Sequence, residues 1–458
     1  MDVFEWMVSV TDKVYIIGVG PGSPKYLTER TKEIVNKADI VVGWELDLLP
    51  VEDLIKGKEI DLQSVDNYVE VAMKVAEEAR NTDKTVAVLR VGDPCVSSGL
   101  TRLLEIFDDF DIEIVPGISS IQLAAAIARV NIDESVVISF HDGGNLEEKK
   151  RFMLDALRRD RHIVMLAGPD LTPNEATKYL IANGISENTP TVLCENLTLE
   201  DEKIFKGTLR DVLTKQFSWL SVMVVISSKG HGGLKTSNIG EMWVVGVGPG
   251  EPEYITVKAV KLIEGADYVA GFKQALQVVE KLVKGKMLII DYTNEGGVLK
   301  LLASEAKAGK KCVICCYGDP HFSDKQFVER IKSVCMDVKV IPGISSVQVS
   351  CAKAGLAMED SMFITLHKSG RINNEEGELL RVVKEGHRNA IVLPRPWDFM
   401  PKDIAKFLID NGVAKDLEVT VHENLTLSDE IVHICKLSDL LDTEYSDLSI
   451  IIIKKRRA

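Results

Sequence analysis

A short apolar run ending in three alternate glycines occurs twice in this chain. The first copy is Val14-Tyr15-Ile16-Ile17-Gly18-Val19-Gly20-Pro21-Gly22, and the second is Trp243-Val244-Val245-Gly246-Val247-Gly248-Pro249-Gly250. Runs of this length and β-branched content read as buried strands. Glycine permits both a sharp turn and close approach of another group. Pro24, Tyr26 and Thr28 follow the first copy, and Pro252, Tyr254 and Thr256 follow the second, 228 residues on. Helical patterns come next, over 29–38 and 257–266. A strand, a glycine turn and a helix are therefore repeated at long range.

Further blocks keep the same register. Val91-Gly92-Asp93-Pro94 answers to Tyr317-Gly318-Asp319-Pro320, and Val115-Pro116-Gly117-Ile118-Ser119-Ser120 to Ile341-Pro342-Gly343-Ile344-Ser345-Ser346, both at an offset of 226. Ser139-Phe140-His141 answers to Thr365-Leu366-His367, and Glu195-Asn196-Leu197-Thr198-Leu199 to Glu423-Asn424-Leu425-Thr426-Leu427. Two copies at this period make a tandem duplication of a whole domain, not a solenoid. The expected domains are 12–228 and 241–456. Between them, the Gly-, Ser- and Lys-containing stretch 229–240 reads as a linker.

Within the first half, strands are expected near 14–18, 39–43, 85–90, 112–115, 136–140, 162–167, 190–194 and 222–226. Helices are expected over 66–80, 98–107, 119–129, 147–158 and 173–183. Alternating strands and helices make the fold class α/β. Each half should divide into two subdomains, near 130–136 and 357–362. Pro-Gly-Ile-Ser-Ser predicts a strand end, a turn and a serine-capped helix.

At 458 residues the chain has room for about two to four domains, and each half for its own core. The formal net charge of -14 argues against broad nucleic-acid binding, which needs cationic surface. No apolar run approaches the ~20 residues that span a bilayer. The segment 1–9 lacks the features of a signal peptide, Met7 being an alternative start, so a cytoplasmic location with reduced thiols is expected. Cys312, Cys315 and Cys316 lie in one apolar run without a second Cys or His pair, which favours core thiols over a metal site. No metal is expected.

The glycine turn is not a dinucleotide fingerprint, since Ser23 or Glu251 stands where the third glycine belongs. No Gly-Lys-Ser/Thr follows, which excludes a P-loop. Gly-Asp-Pro and Pro-Gly-Ile-Ser-Ser are each ordinary turn chemistry alone. Their order and spacing, kept in both halves, indicate a site at the carboxyl ends of the strands, where α/β sheets collect ligands.

With these motifs both halves resemble the tetrapyrrole methylases, the corrin- and porphyrin-modifying methyltransferases. The cobalt-precorrin-7 (precorrin-6Y) type is the branch indicated by His141 and His367, Leu-Ala-Gly-Pro-Asp-Leu-Thr-Pro, Glu-Asn-Leu-Thr and Asp201-Glu202. The resemblance implies S-adenosylmethionine as cofactor, bound between the two subdomains of each half. Carried onto matching positions, its contacts would be Gly92, Asp93, Val96, Ser120 and Ile121, and Gly318, Asp319, Phe322, Ser346 and Val347. The strand ends 165–167 and 393–395 would close over it. Gly20, Pro21 and Gly22, with Gly248, Pro249 and Gly250, would face a flat tetrapyrrole. His141 and His367 are the candidates for moving a proton, against a purely structural role at a strand end. Glu195 and Glu423 read as turn organisers.

A polycarboxylate substrate calls for cations in its cleft, with Arg90, Arg102, Lys368, Arg371 and Arg395 placed by position. The halves differ there: Arg90 stands against Tyr317, and Cys95-Val-Ser-Ser-Gly99 against His321-Phe-Ser-Asp-Lys325. Either one half is degenerate or the two treat different positions or intermediates. The family's homodimers imply that the two halves form an intramolecular pseudo-dimer, with further oligomerisation left open. Two alternatives remain: a related methylase acting on a protein side chain or ribosomal RNA, and a non-catalytic scaffold that binds adenosylmethionine or a tetrapyrrole.

Overall fold

The computed structural model describes residues 13–64, 66–141, 144–218, 220–227, 241–322, 324–335 and 338–456. The expected linker 229–240 and the segment 1–9 lie outside them. Twenty strands form four five-stranded sheets among the described residues.

In the first half, β1 (Lys13–Gly18), β2 (Ile40–Gly43), β3 (Glu59–Leu62), β4 (Val86–Arg90) and β5 (Asp111–Val115) make a parallel sheet in the order β3-β2-β4-β1-β5. A mixed sheet follows from β6 (Ser135–Ser139), β7 (His162–Leu166), β8 (Pro190–Glu195), β9 (Lys203–Thr208) and β10 (Ser221–Val225), ordered β6-β7-β10-β8-β9. The second half repeats this. β11 (Glu241–Gly246), β12 (Tyr268–Phe272), β13 (Lys286–Ile290), β14 (Lys311–Cys316) and β15 (Val338–Ile341) form its parallel sheet. Its mixed sheet contains β16 (Ser361–Thr365), β17 (Asn389–Leu393), β18 (Glu418–Glu423), β19 (Ile431–Lys436) and β20 (Ser449–Ile453).

The interior strands fall where apolar runs predict them. β4, β7 and β10 are buried at every residue because sheet and helices cover both faces. The change of sheet comes at Ile132–Glu134 and Met358–Asp360, inside the expected division points. β3 and β9 are additions to the expected strands. Each is an edge strand that is largely exposed, so neither carries the apolar run that betrays an interior strand. Cys312, Cys315 and Cys316 sit buried in β14, and burial pushes the Cys315 thiol up to about 12.

The halves are packed on each other reciprocally. Ile132 donates its backbone N–H to the carbonyl of His321, and the counterpart Met358 donates to Cys95. One hydrophobic cluster holds Val96, Ile118 and Ile121 together with Phe322, Ile344 and Val347. Residue i meeting j while j's counterpart meets i's is the pattern of a two-fold interface.

Asp133 is buried beside this interface, 6% exposed. Burial, and then the charge of Glu134, push its carboxyl up to about 7. A carboxyl raised on folding contributes stability that is complete below its unfolded value and lost as pH rises through about 7. Asp133→Asn, which mimics the neutral form, should therefore stabilise the chain by on the order of 3 kcal/mol at pH 8. The gain should vanish below pH 4. Thermal unfolding of both proteins across pH 3–8 measures this, and an equal offset at all pH values would contradict it.

Candidate functional site

The carboxyl ends of β1, β4 and β5 carry three turns that interlock through bare backbone. A Cβ built on Gly117 would lie 2.3 Å from the Gly92 carbonyl oxygen, and one on Gly18 would lie 2.5 Å from the Gly117 nitrogen. Gly92 N–H donates to the Gly20 carbonyl at 2.7 Å, and Gly20 N–H donates back to Gly92 at 3.3 Å. Both glycines hold positive φ, 75° for Gly20 and 80° for Gly92. After Gly117, Ser119 caps the Ser120–Ala128 helix through a reciprocal box with Gln122.

The opposite wall comes from the mixed sheet. Asn196 and Thr198, following β8, adopt left-handed backbone conformations (φ 50° and 71°), held by Asp201 and Glu202. Thr198 Oγ1 then accepts the Ser23 N–H at 3.0 Å, tying this loop to the glycine turn. The repeat makes the same tie from Glu251 N–H to Thr426 Oγ1, at 3.1 Å. Glu195 and Glu423 organise turns as expected, accepting the N–H groups of Ser218 and Ser446.

Between the walls of the first half lies a cleft of about 370 Å³. Its lining includes Pro21 and Gly22 from the glycine turn, Val91, Gly92, Asp93 and Val96 from the next, and Ser119 and Ser120 from the third. His141, at the end of β6, and Leu166, at the end of β7, also face it. His141 donates its backbone N–H to Ser139 Oγ at 3.1 Å. Of the expected first-half contacts the structure thus gathers Gly92, Asp93, Val96, Ser120, Pro21, Gly22 and His141. Gly20 serves the backbone lock instead, and Ile121 is fully buried in the core.

Asp93 differs from expectation in direction. Its carboxylate accepts the N–H groups of Cys95 and Gly117 and the side-chain amide of Gln348 from the other half, and burial raises it to about 6. It faces the partner half, and so does Asp319, which accepts from Gln122. The cationic lining is not found: among the described residues lining the cleft none is Lys or Arg. Arg90 turns back into the protein, donating to the carbonyls of Ser98 and Leu89 near Asp47. Arg102 pairs with Glu105 and Lys368 with Glu375, while Arg395 donates to the Gly370 carbonyl.

Sequence reading missed Trp44 and Leu46, which line the cleft beyond β2. Asp47 fixes them there, since it accepts both the Trp44 and the Val91 N–H. The available signal was position: this segment also follows the carboxyl end of a parallel strand.

The second half departs from the first at this level. Gly18 pairs with Arg90 in register and Gly246 with Cys316, so Tyr317 corresponds to Val91 and not to Arg90. The Tyr317 hydroxyl donates to the Pro249 carbonyl, lying 2.8 Å from where a Cβ on Gly250 would be. Phe322 is buried edge-to-face against Phe363, and Val347 is in the core. Gly318 and Gly248 repeat the backbone lock, and Ser346 follows the capping Ser345. His367 packs its ring 5.4 Å from Trp397.

The sequence profile of the tetrapyrrole (corrin/porphyrin) methylases matches residues 13–213 and again 241–441, well over half of the chain. Over 217 residues the chain is 35% identical to a probable cobalt-precorrin-7 C(5)-methyltransferase of Methanocaldococcus jannaschii, covering 46% of this chain and 96% of that one. It is 28% identical to the cobalt-precorrin-4 C(11)-methyltransferase of the same organism, over 44% of this chain and 81% of the relative. An S-adenosyl-L-methionine-dependent uroporphyrinogen III methyltransferase of Methanosarcina barkeri is 26% identical, over 44% and 84%. A solved precorrin-6Y methylase of cobalamin biosynthesis from Archaeoglobus fulgidus aligns with a TM-score of 0.38 at 26% identity, over 47% of this chain and 98% of that one.

Proposed function

The chain belongs to the tetrapyrrole (corrin/porphyrin) methylases, and from that premise we propose that it transfers a methyl group from S-adenosylmethionine to ring carbon 5 of a cobalt-precorrin-7-like corrinoid. The observation that carries this reading is the first-half cleft, where three strand-end turns meet the loop after β8 beside His141. Its volume suits a nucleoside-sized cofactor, for which sites of about 300–1,000 Å³ are usual. Trp44, Leu46, Leu199 and Val222 offer apolar surface for a base, and the backbone at Gly92 with the hydroxyls of Ser97 and Ser120 offers polar contacts. When bound, the cofactor supplies a methyl group already activated on a sulfonium.

The chain's own work is then alignment and exclusion of water. The backbone lock holds Gly92 and the Ser119 turn at a fixed separation, and the Thr198–Ser23 tie keeps the two subdomains closed around the cleft. Pro21 and Gly22 leave the mouth flat, open to a macrocycle too large for the cleft itself. His141 receives the proton that the methylated ring carbon releases. His141→Ala should lower kcat about 100-fold while S-adenosylhomocysteine affinity stays within about two-fold of the parent. An unchanged kcat would leave His141 a structural strand end.

The reciprocal seating of the halves supports reading the chain as its own pseudo-dimer. The missing cations favour one second reading, a methylase of the same family whose substrate carries fewer carboxylates at the part that enters the cleft. Calorimetric titration with S-adenosylhomocysteine tests the cofactor assignment, and failure of the folded protein to bind would sink it. Comparing turnover of a cobalt-precorrin with that of a less carboxylated tetrapyrrole separates the two substrates.

A further inference from the structure

Behind the cleft, two glutamines from opposite halves form a buried reciprocal pair. Gln348 Nε2 reaches Gln122 Oε1 at 3.2 Å, and Gln122 Nε2 reaches Gln348 Oε1 at 3.1 Å. Each also crosses to the other half's turns. Gln348 Nε2 lies 2.7 Å from Asp93 Oδ2 and 3.0 Å from the Gly117 carbonyl; Gln122 Nε2 lies 2.5 Å from Asp319 Oδ2 and 3.0 Å from the Gly343 carbonyl. Both side chains are fully buried. A second crossing point lies at the rim, where Glu359 Oε1 accepts the Ser97 N–H at 2.9 Å. Ser97, with φ 49°, lines the cleft in a left-handed conformation that a serine seldom adopts unaided.

We infer that the first-half cleft is completed from the second half, with Gln348 and Glu359 as its positioning residues. Asp93 is the link. Its two oxygens gather the N–H groups of Cys95 and Gly117, so one carboxylate sets the spacing between two of the three turns that line the cleft. Gln348 fixes that carboxylate and the Gly117 carbonyl, and Glu359 fixes the far end of the same turn. A buried carboxylate stripped of such a donor is costly, and the turns relax to recover one. The second half thus has a function in the first half's chemistry whatever its own cleft does. The inference rests on the proposed function only in taking this cleft as the cofactor site.

The test uses the full chain carrying Gln348→Glu. Glutamate at this position keeps the oxygen that caps Ser345 N–H, and so preserves its own helix. At about pH 9, above the range in which two adjoining carboxyls share a proton, it removes the crossing donor and sets a carboxylate against Asp93. Hydrogen exchange followed by mass spectrometry should show segments 91–98 and 116–120, in the unsubstituted half, exchanging at least ten-fold faster. Segment 345–354 should stay protected, and S-adenosylhomocysteine affinity should fall at least ten-fold. Unchanged exchange in 91–98 and 116–120 overturns the inference. Should Gln348→Glu not fold, Glu359→Ala reads the same dependence at the rim, through faster exchange at 95–98 alone. If the parent chain binds no S-adenosylhomocysteine the cofactor assignment fails, while the exchange result still decides the inference.

Discussion

Gly117→Ala is expected to destabilise the chain by about 3 kcal/mol and to abolish S-adenosylhomocysteine binding. The added Cβ would lie 2.3 Å from the Gly92 carbonyl oxygen and 2.7 Å from the Gly18 carbonyl carbon. These are backbone atoms at the ends of neighbouring parallel strands, so no side-chain rotation relieves the clash. The Gly-Asp-Pro turn must move outward, carrying Gly92, Val96 and Ser97 out of the cleft and breaking the Gly92–Gly20 pair. Gly377→Ala is the matched control. Its Cβ meets nothing within 4 Å in the Asn373–Glu385 helix, where alanine is favoured over glycine by about 1 kcal/mol. Thermal unfolding should therefore shift in opposite directions for the two variants. A parent-like melting temperature for Gly117→Ala would show that the three turns are not locked by contact.

Val91→Tyr is expected to lower kcat/KM at least about 100-fold with little change in stability. The second half shows what a phenol does at this register position: it reaches across to the carbonyl of the glycine turn and occupies the space over Gly250. In the first half the corresponding residues Pro21 and Gly22 line the open cleft. The introduced side chain would bridge the same gap and exclude ligand from it. Steady-state kinetics together with a titration measure this, and full activity in the variant would mean that ligand lies elsewhere.

Duplication makes the architecture legible in the sequence. An element read twice at a fixed offset cannot be an accident of composition, and interior strands such as β4 and β7 declare themselves by burial on both faces. Edge strands β3 and β9 do not, because solvent on one side permits charged residues that erase the apolar run. Gln122 and Gln348 are hidden for another reason. Ser-x-x-Gln is already explained as a local helix cap, so nothing in the sequence requires a second partner across the chain. Arg90 misleads by its position, since a cation at a strand end can turn inward, as it does toward Asp47. Setting Arg90 against Tyr317 conflicts with the Gly-Asp-Pro alignment, which already pairs Tyr317 with Val91. Strand register agrees with that alignment, pairing Arg90 with Cys316 and hence Val91 with Tyr317.

The most direct measurement is to incubate the chain with S-adenosylmethionine carrying a carbon-13 methyl group and with cobalt-precorrin-7, and to read the product by nuclear magnetic resonance and mass spectrometry. One labelled methyl group per corrinoid, on ring carbon 5 and lost in Val91→Tyr, is the predicted result. No transfer by a chain that is folded and binds S-adenosylhomocysteine, or transfer that Val91→Tyr leaves intact, would contradict the account.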